Sequence, residues 1–343
     1  MLESLIFQEI QEKGPLSQSR FMELALQHPA YGYYRSQEAI SRDFTTSPEV
    51  SQIFGELIGV WAIDYYMKLN SPAKISLVEF GPGRGTLMAD FLRIAKTSSF
   101  FLRALNLYLV EINPLLKETQ SKTIHHPAIW LERFADLPLA TDPLIIIANE
   151  FFDSLPTNCY IRRHNILYER CIKNESGKFE FTFVPLHKSL GVDRTWERSF
   201  IAESLMKEVC SQLLKRTGVF ICIDYGYEKG EGDSLQALYK GKMSDPVAHV
   251  GMSDLTCHVD FGTLKKTALS KGLGVLGPLP QGLFLKNMGL DLRLQILKHQ
   301  NPSKKKYLEV SVQRLIHPRQ MGSLFKVMAI FSPPSIKPEG FKI

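Results

Sequence analysis

Apolar positions along the chain change their spacing in ways that mark out its elements. Residues 17–28 carry a helical pattern, with Ser17 placed to cap it and Pro29-Ala30-Tyr31-Gly32 breaking it. A stronger helix follows: Val50, Ile53, Phe54, Leu57, Ile58, Trp61 and Tyr65 recur at intervals of three, four, seven and eight. Before it, Thr46 and Glu49 have the spacing of a capping box, with Pro48 tolerated in the first turn. From Ile75 the pattern turns to short apolar runs alternating with helices. Ile75–Phe80, 105–112, Ala128–Leu131, Leu144–Asn149 and 218–224 read as strands. Helices are predicted over 86–96 and from about Pro114, Asp260 and Leu290, and closing strands over 273–277 and 324–331. This alternation predicts an α/β fold with a doubly wound, mostly parallel, seven-stranded sheet.

One stretch departs from the alternation. Between 159 and 185, three strand-like runs are separated by Asn165 and by Asn174-Glu175-Ser176-Gly177, which are hairpin signals. The expected organisation is therefore an N-terminal helical lid over 1–70, a core over 71–157 and 186–332, and an antiparallel insertion over 158–185 on the substrate side. No repeats or low-complexity tracts appear, and only Ser332-Pro333-Pro334-Ser335 looks like a loose tail.

Composition narrows the class. The chain has 343 residues, 44% hydrophobic and 22% charged, enough for a substantial core. Its net charge of +6 is mild, and neither Lys304-Lys305-Lys306 nor Arg162-Arg163 is a nucleic-acid signature. The five cysteines, 159, 171, 210, 222 and 257, include no C-x-x-C pair, so neither zinc nor a disulfide framework is expected. No metal site is predicted. The longest apolar runs fall far short of a membrane span, and Glu3, Glu9 and Glu12 do not suit a signal or transit peptide. Together these predict an enzyme working in a reducing cytosol, with no membrane insertion.

The most informative string is Val78-Glu79-Phe80-Gly81-Pro82-Gly83-Arg84-Gly85-Thr86, where a strand ends and a helix opens. Glycines 81, 83 and 85 let a ligand approach the backbone where a Cβ would obstruct it. The G-x-G-x-G spacing misses the dinucleotide fingerprint G-x-G-x-x-G by one residue. Glu79 would repel a pyrophosphate but suits a ligand carrying an ammonium group. Glu111, at the end of the next strand, is placed to accept hydrogen bonds from two ribose hydroxyls. Taken singly, the glycines also fit a tight turn and Glu111 a solvated acid. Taken together, these residues fit S-adenosyl-L-methionine better than NAD.

The fourth strand ends Asn149-Glu150-Phe151-Phe152-Asp153. This position faces the transferable methyl in class I methyltransferases, where enzymes acting on neutral amides or adenine amines carry Asn-Pro-Pro and an aromatic. Here acids stand instead, which implies a cationic acceptor. Arginine is the apt one, because its guanidinium stays protonated and is a poor nucleophile until oriented. Glu150 and Asp153 are the candidate catalytic carboxylates, with helix capping as the alternative for either. Asn149 is a candidate cofactor residue.

At these positions the chain resembles the MidA-type class I methyltransferases, which include the mitochondrial complex I assembly methyltransferase. The resemblance rests on Tyr31-Gly32-Tyr33-Tyr34, the stretch from Asp43 to Phe54-Gly55-Glu56, the loop over 79–85, the stretch over 149–156, Asp224-Tyr225-Gly226-Tyr227, and the stretch from Asp254 to Cys257-His258-Val259-Asp260-Phe261. It implies symmetric dimethylation of an arginine on a peripheral-arm subunit of respiratory complex I. It also implies a loop over 43–49 that closes on the cofactor. The missing transit peptide departs from the mitochondrial members and points to a bacterial homologue. His258 and Asp260 are candidate acceptor residues, with a core histidine and a helix cap as alternatives; Tyr225 is either an acceptor wall or a core aromatic. Methylation of RNA or of a small molecule, and a non-catalytic assembly role, are the competing functions.

Overall fold

The structure, a computed structural model, describes residues 1–35, 46–230 and 232–342. They fall into two compact units, one of Met1–Phe44, Phe152–Leu205 and Tyr227–Leu264, the other of Thr45–Phe151, Met206–Gly226 and Lys265–Ile343.

The second unit holds the predicted sheet. Its strands are β1 (Ile75–Phe80), β2 (Leu105–Val110), β3 (Ala128–Leu131), β4 (Leu144–Asn149), β5 (Gly218–Tyr227), β6 (Gly274–Pro280) and β7 (Phe325–Ser332). Along the sheet they lie in the order β3-β2-β1-β4-β5-β7-β6. Neighbours from β3 to β5 pair in parallel, whereas β7 runs antiparallel to both β5 and β6. Every residue of β1 and β4 is buried, as in strands covered on both faces, and this is why β4 reads as an apolar run up to Asn149. The strand order reverses beside β1, between β2 and β4, and an open α/β sheet opens its ligand crevice at such a point.

The strongly periodic helix spans Gln52–Lys68 and buries Ile53, Phe54, Leu57, Ile58, Trp61 and Tyr65. It packs within the same core as the sheet, although the sequence groups it with the N-terminal segment. The predicted capping box does not form. Thr46 makes no side-chain cap, the helix Ser47–Val50 stops after one turn, and the backbone is extended at Ser51. Ser51 caps the long helix instead, its Oγ accepting from the Ile53 N–H at 3.4 Å. The long helix then approaches the helix Thr86–Ala95 closely. A Cβ on Gly55 would lie 2.8 Å from the Leu87 carbonyl oxygen, and one on Gly59 3.0 Å from that of Phe91. Fully buried Glu56 joins the two helices to a third, accepting from Arg93 at 3.1 Å and from Arg293 at 2.7 and 2.9 Å.

The first unit is built on antiparallel strands. Leu16–Ser17, Ile166–Glu175, Asn158–Arg163 and Arg194–Arg198 lie side by side, and Lys178–Lys188 pairs with Ile166–Glu175. At the predicted hairpin turn, Asn174 Oδ1 accepts from the Gly177 N–H at 2.9 Å, and Ser176 and Gly177 take positive φ. The helices Leu2–Lys13 and Gln18–Gln27 belong to this unit, the second capped by Ser17 as expected. Their apolar faces join the sheet in one core, where Phe7 stacks on Phe179 at 4.3 Å. The antiparallel region is wider than 158–185: it takes in Arg194–Arg198 and a small sheet of Gln236–Tyr239, Lys242–Ser244 and Asp254–Thr256.

Candidate active site

The residues singled out at the cofactor end converge on the carboxyl ends of β1, β2 and β4. Gly81, Gly83 and Gly85 have φ of +57°, +54° and +81°, a conformation that a side chain makes costly. Two backbone bonds shape the loop: the Gly81 N–H donates to the Val110 carbonyl at 3.0 Å, and that of Gly85 to Pro82 at 2.8 Å. A Cβ on Gly81 would strike the Phe151 ring at 2.8 Å, whereas one on Gly83 would meet nothing within 4 Å. Gly83 therefore faces open space.

Glu79 is buried in β1, and burial pushes its carboxyl up to about 8. Among the described residues its Oε2 has no hydrogen-bond partner. Glu111, just beyond β2, is held on both oxygens: Oε1 accepts from the Asn113 N–H at 2.8 Å and Oε2 from Gln120 Nε2 at 3.1 Å. Its carboxyl is raised by burial, and these hydrogen bonds oppose the rise. Gln120 was not foreseen. Its Nε2 also donates to the Gly83 carbonyl at 2.8 Å, and its Oε1 accepts from the Trp130 indole at 2.7 Å. One buried amide thus joins Glu111 to the glycine loop. The available signal was a polar residue four places after Leu116, on the buried face of the helix Pro114–Thr123.

At the end of β4, Asn149 Nδ2 donates to Glu150 Oε1 at 3.1 Å, and the same oxygen accepts from the Ser47 N–H at 2.7 Å. Asn149 Oδ1 is buried with no partner among the described residues. Glu150 takes a φ of +50°, an uncommon conformation for a non-glycine residue, and its N–H donates to the Ile223 carbonyl at 2.8 Å. Its neighbour Phe151 is fixed by stacking on Phe80 at 5.2 Å and by donating its N–H to buried Asp224 at 3.2 Å. Asp224 also accepts from the Tyr225 N–H at 2.9 Å. Tyr225 is partly buried and packs edge-on against Phe325 at 5.4 Å.

The remaining candidates lie in the first unit. Asp153 is buried in the turn Phe152–Ser154, and its carbonyl accepts from the Cys257 N–H at 2.8 Å. Tyr34 donates to Asp254 at 2.7 Å; burial, then the charges of Asp254 and Asp153, hold its phenol protonated. The His258 N–H donates to Ser234 Oγ at 2.7 Å, and the Ser234 hydroxyl pairs with buried Glu197 at 2.5 Å. Burial lowers the His258 imidazole, with Glu197 opposing. Asp260 accepts from Thr263 through the N–H at 3.0 Å and the hydroxyl at 2.6 Å, which is helix-capping geometry. His258, Asp260, Glu197 and Tyr227 line a cavity of about 30 Å³ in this unit. Of the predicted closing loop over 43–49, residues 43–45 lie outside the described residues. Among the described residues no cluster of three or more His, Cys, Asp or Glu could hold a metal ion, and the five cysteines are buried and free.

A seven-strand path whose one reversed strand is β7, with a glycine turn after β1, defines the class I methyltransferase architecture. Comparison with known proteins agrees. Residues 57–279 match a family model described as "Putative S-adenosyl-L-methionine-dependent methyltransferase". The mouse protein arginine methyltransferase NDUFAF7, mitochondrial, is 32% identical over 96% of this chain and 84% of its own length. The human one is 31% identical over 96% and 83%. A Burkholderia thailandensis structure, solved bound to S-adenosyl-homocysteine, covers 100% of this chain and 92% of its own with a TM-score of 0.83 at 24% identity. The chain belongs to this family of S-adenosyl-L-methionine-dependent methyltransferases, and the MidA-type resemblance holds. It is an enzyme that uses S-adenosyl-L-methionine.

The residues at the strand ends fit that cofactor. Open space at Gly83 and the unmatched oxygens of Glu79 and Asn149 are what a bound ligand would fill and satisfy. When bound, the cofactor supplies an electrophilic methyl group. One expectation is corrected: the relatives matched from mouse, human, rat, cattle, zebrafish and frogs are all named mitochondrial, which overturns the assignment to a cytosol.

Proposed function

We propose that the protein methylates an arginine side chain of a protein substrate, with Glu150 orienting the guanidinium. The observation that carries this reading is the placement of Glu150. A carboxylate stands where neutral acceptors call for Asn-Pro-Pro, on a backbone of φ +50°, and is tied to Asn149 and Ser47 through one oxygen. An ionised carboxylate only accepts and a guanidinium only donates, so the two are chemically matched. Charge held on two of the guanidinium nitrogens leaves the third richer in electron density and aimed at the methyl. Positioning of this kind supplies roughly 7–11 kcal/mol of a barrier. Asp153, three residues on in sequence, is assigned as the second carboxylate.

The cofactor is assigned to Glu79 for its ammonium, Gly81, Gly83 and Gly85 for its methionine portion, Glu111 for its ribose, and Asn149 beside the methyl. The names of the relatives support arginine, and the family resemblance supports symmetric dimethylation on a peripheral-arm subunit of respiratory complex I. Mass spectrometry of complex I subunits from cells with and without the protein tests this: one arginine should lose its dimethyl mark. An unchanged set of methylarginines would remove the assignment.

A further inference from the structure

One end of the antiparallel sheet carries a feature that methyl transfer does not use. Leu190 and Val192 are 84% and 80% exposed on the segment joining Lys178–Lys188 to Arg194–Arg198. The segment is nonetheless firmly held. Arg162 donates from Nε to the Val192 carbonyl at 2.8 Å and from Nη1 to the Leu190 carbonyl at 3.1 Å. The Ser189 N–H donates to the Asn165 carbonyl at 2.8 Å, and the His164 N–H to Asp193 Oδ1 at 3.1 Å. The backbone is thus pinned to the neighbouring turn while two aliphatic side chains stay in water, an arrangement that removes apolar surface from nothing.

Strand register brings cations to the same end. Arg162 lies opposite Arg194, Arg163 opposite Ile166, and Ile166 opposite Lys188. Arg163 also sits 5.9 Å from the ring of Phe183, which is itself 44% exposed. Four cations therefore surround the tip, against the single carboxylate of Asp193 within it.

We propose that this tip rests on an anionic lipid bilayer, with Leu190 and Val192 at headgroup depth and the cations against lipid phosphates. Two side chains projecting singly from a pinned loop need a partner that yields to them. A bilayer interface does so, whereas an acidic protein surface would need a matching hollow for each. A ring of Lys and Arg adds attraction to anionic lipid that salt screens. This is docking on the surface: among the described residues no helix is long and apolar enough to cross a membrane. The inference is independent of the acceptor assigned above.

Vesicle sedimentation of the full chain tests it, with variants checked for unchanged thermal melting. The protein should sediment with phosphatidylcholine vesicles containing about one third phosphatidylglycerol at roughly 0.1 M salt, and stay in solution with phosphatidylcholine alone. Leu190→Ser with Val192→Ser should weaken binding by about tenfold, and Arg163→Ser with Lys188→Ser by a similar factor. Absence of binding to the anionic vesicles would overturn the proposal, as would binding by both double variants as strong as that of the native chain. So would capture by an immobilised acidic protein without any binding to vesicles.

Discussion

Glu79 is an acid on a strand whose six residues are all buried, and if it holds the cofactor's ammonium as proposed, that placement predicts a proton switch for cofactor binding. With its carboxyl pushed up to about 8, Glu79 is protonated at neutral pH in the ligand-free protein. A cationic ammonium beside it favours the carboxylate, so binding lowers its pKa and releases a proton. The sign follows: the free site holds more protons than the filled one, so affinity rises with pH below the free pKa. Between about pH 6 and 7.5 the gain should approach roughly tenfold per unit. Calorimetry in buffers of different ionisation heat should record that proton, and Glu79→Gln should abolish both effects; unchanged proton release in the variant would remove Glu79 from the cofactor site. Gly83 gives a second test. A Cβ at position 83 meets no protein atom within 4 Å, and the φ of +54° costs about 1–3 kcal/mol for a side chain. The fold should therefore survive while cofactor binding is lost, by calorimetry and thermal melting together. Normal binding would make the loop a simple turn. Glu79, the glycines and Glu111 were legible in the sequence because strand, loop and helix follow one another along the chain. Gln120 and Ser47 were not, because their partners Gly83 and Glu150 lie 37 and 103 residues away.

The helix carrying the glycine loop is held from behind. Gly55 and Gly59 allow Gln52–Lys68 to lie against Thr86–Ala95, and Glu56 ties both to Arg293 on the helix Leu290–Gln300. Glu56→Ala leaves no buried charge stranded, because Arg93 is 48% exposed and keeps Asp90 at 2.7 Å, and Arg293 is 22% exposed. The loss of its charge-assisted hydrogen bonds should cost about 1.5–3 kcal/mol in chemical denaturation; a loss below about 1 kcal/mol would mean that the network contributes little. The same helix shows what periodicity conveys. Its apolar spacing predicted the element and its buried face, but not the break at Ser51, where Pro48 and an extended residue split one run into two helices. Strands β4 and β5 were legible because burial on both faces leaves them largely apolar, and β1 to β3 because short, mainly apolar runs alternate with helices. Arg194–Arg198 was missed because its residues are largely charged, and Lys242–Ser244 and Asp254–Thr256 because three residues are too few to display a period.

At the scale of the whole chain, the two compact units interleave in sequence, and a boundary set by composition follows neither. The first unit draws on three separate segments, which explains why only its hairpin and the helix capped by Ser17 were visible beforehand. The functional claim concerns the carboxylates at the turn after β4. Glu150→Gln keeps the Oε1 acceptor for the Ser47 N–H and the Asn149 amide, so the local structure and cofactor affinity should persist while the charge is lost. Transition-state stabilisation that depends on that charge should go with it. The most direct measurement replaces the native enzyme with Glu150→Gln in cells and quantifies dimethylarginine on complex I subunits by mass spectrometry. The purified variant is titrated with S-adenosylmethionine alongside. The account predicts loss of the mark with cofactor affinity within about twofold of the native enzyme. A near-normal mark, or its loss together with cofactor binding, would contradict it.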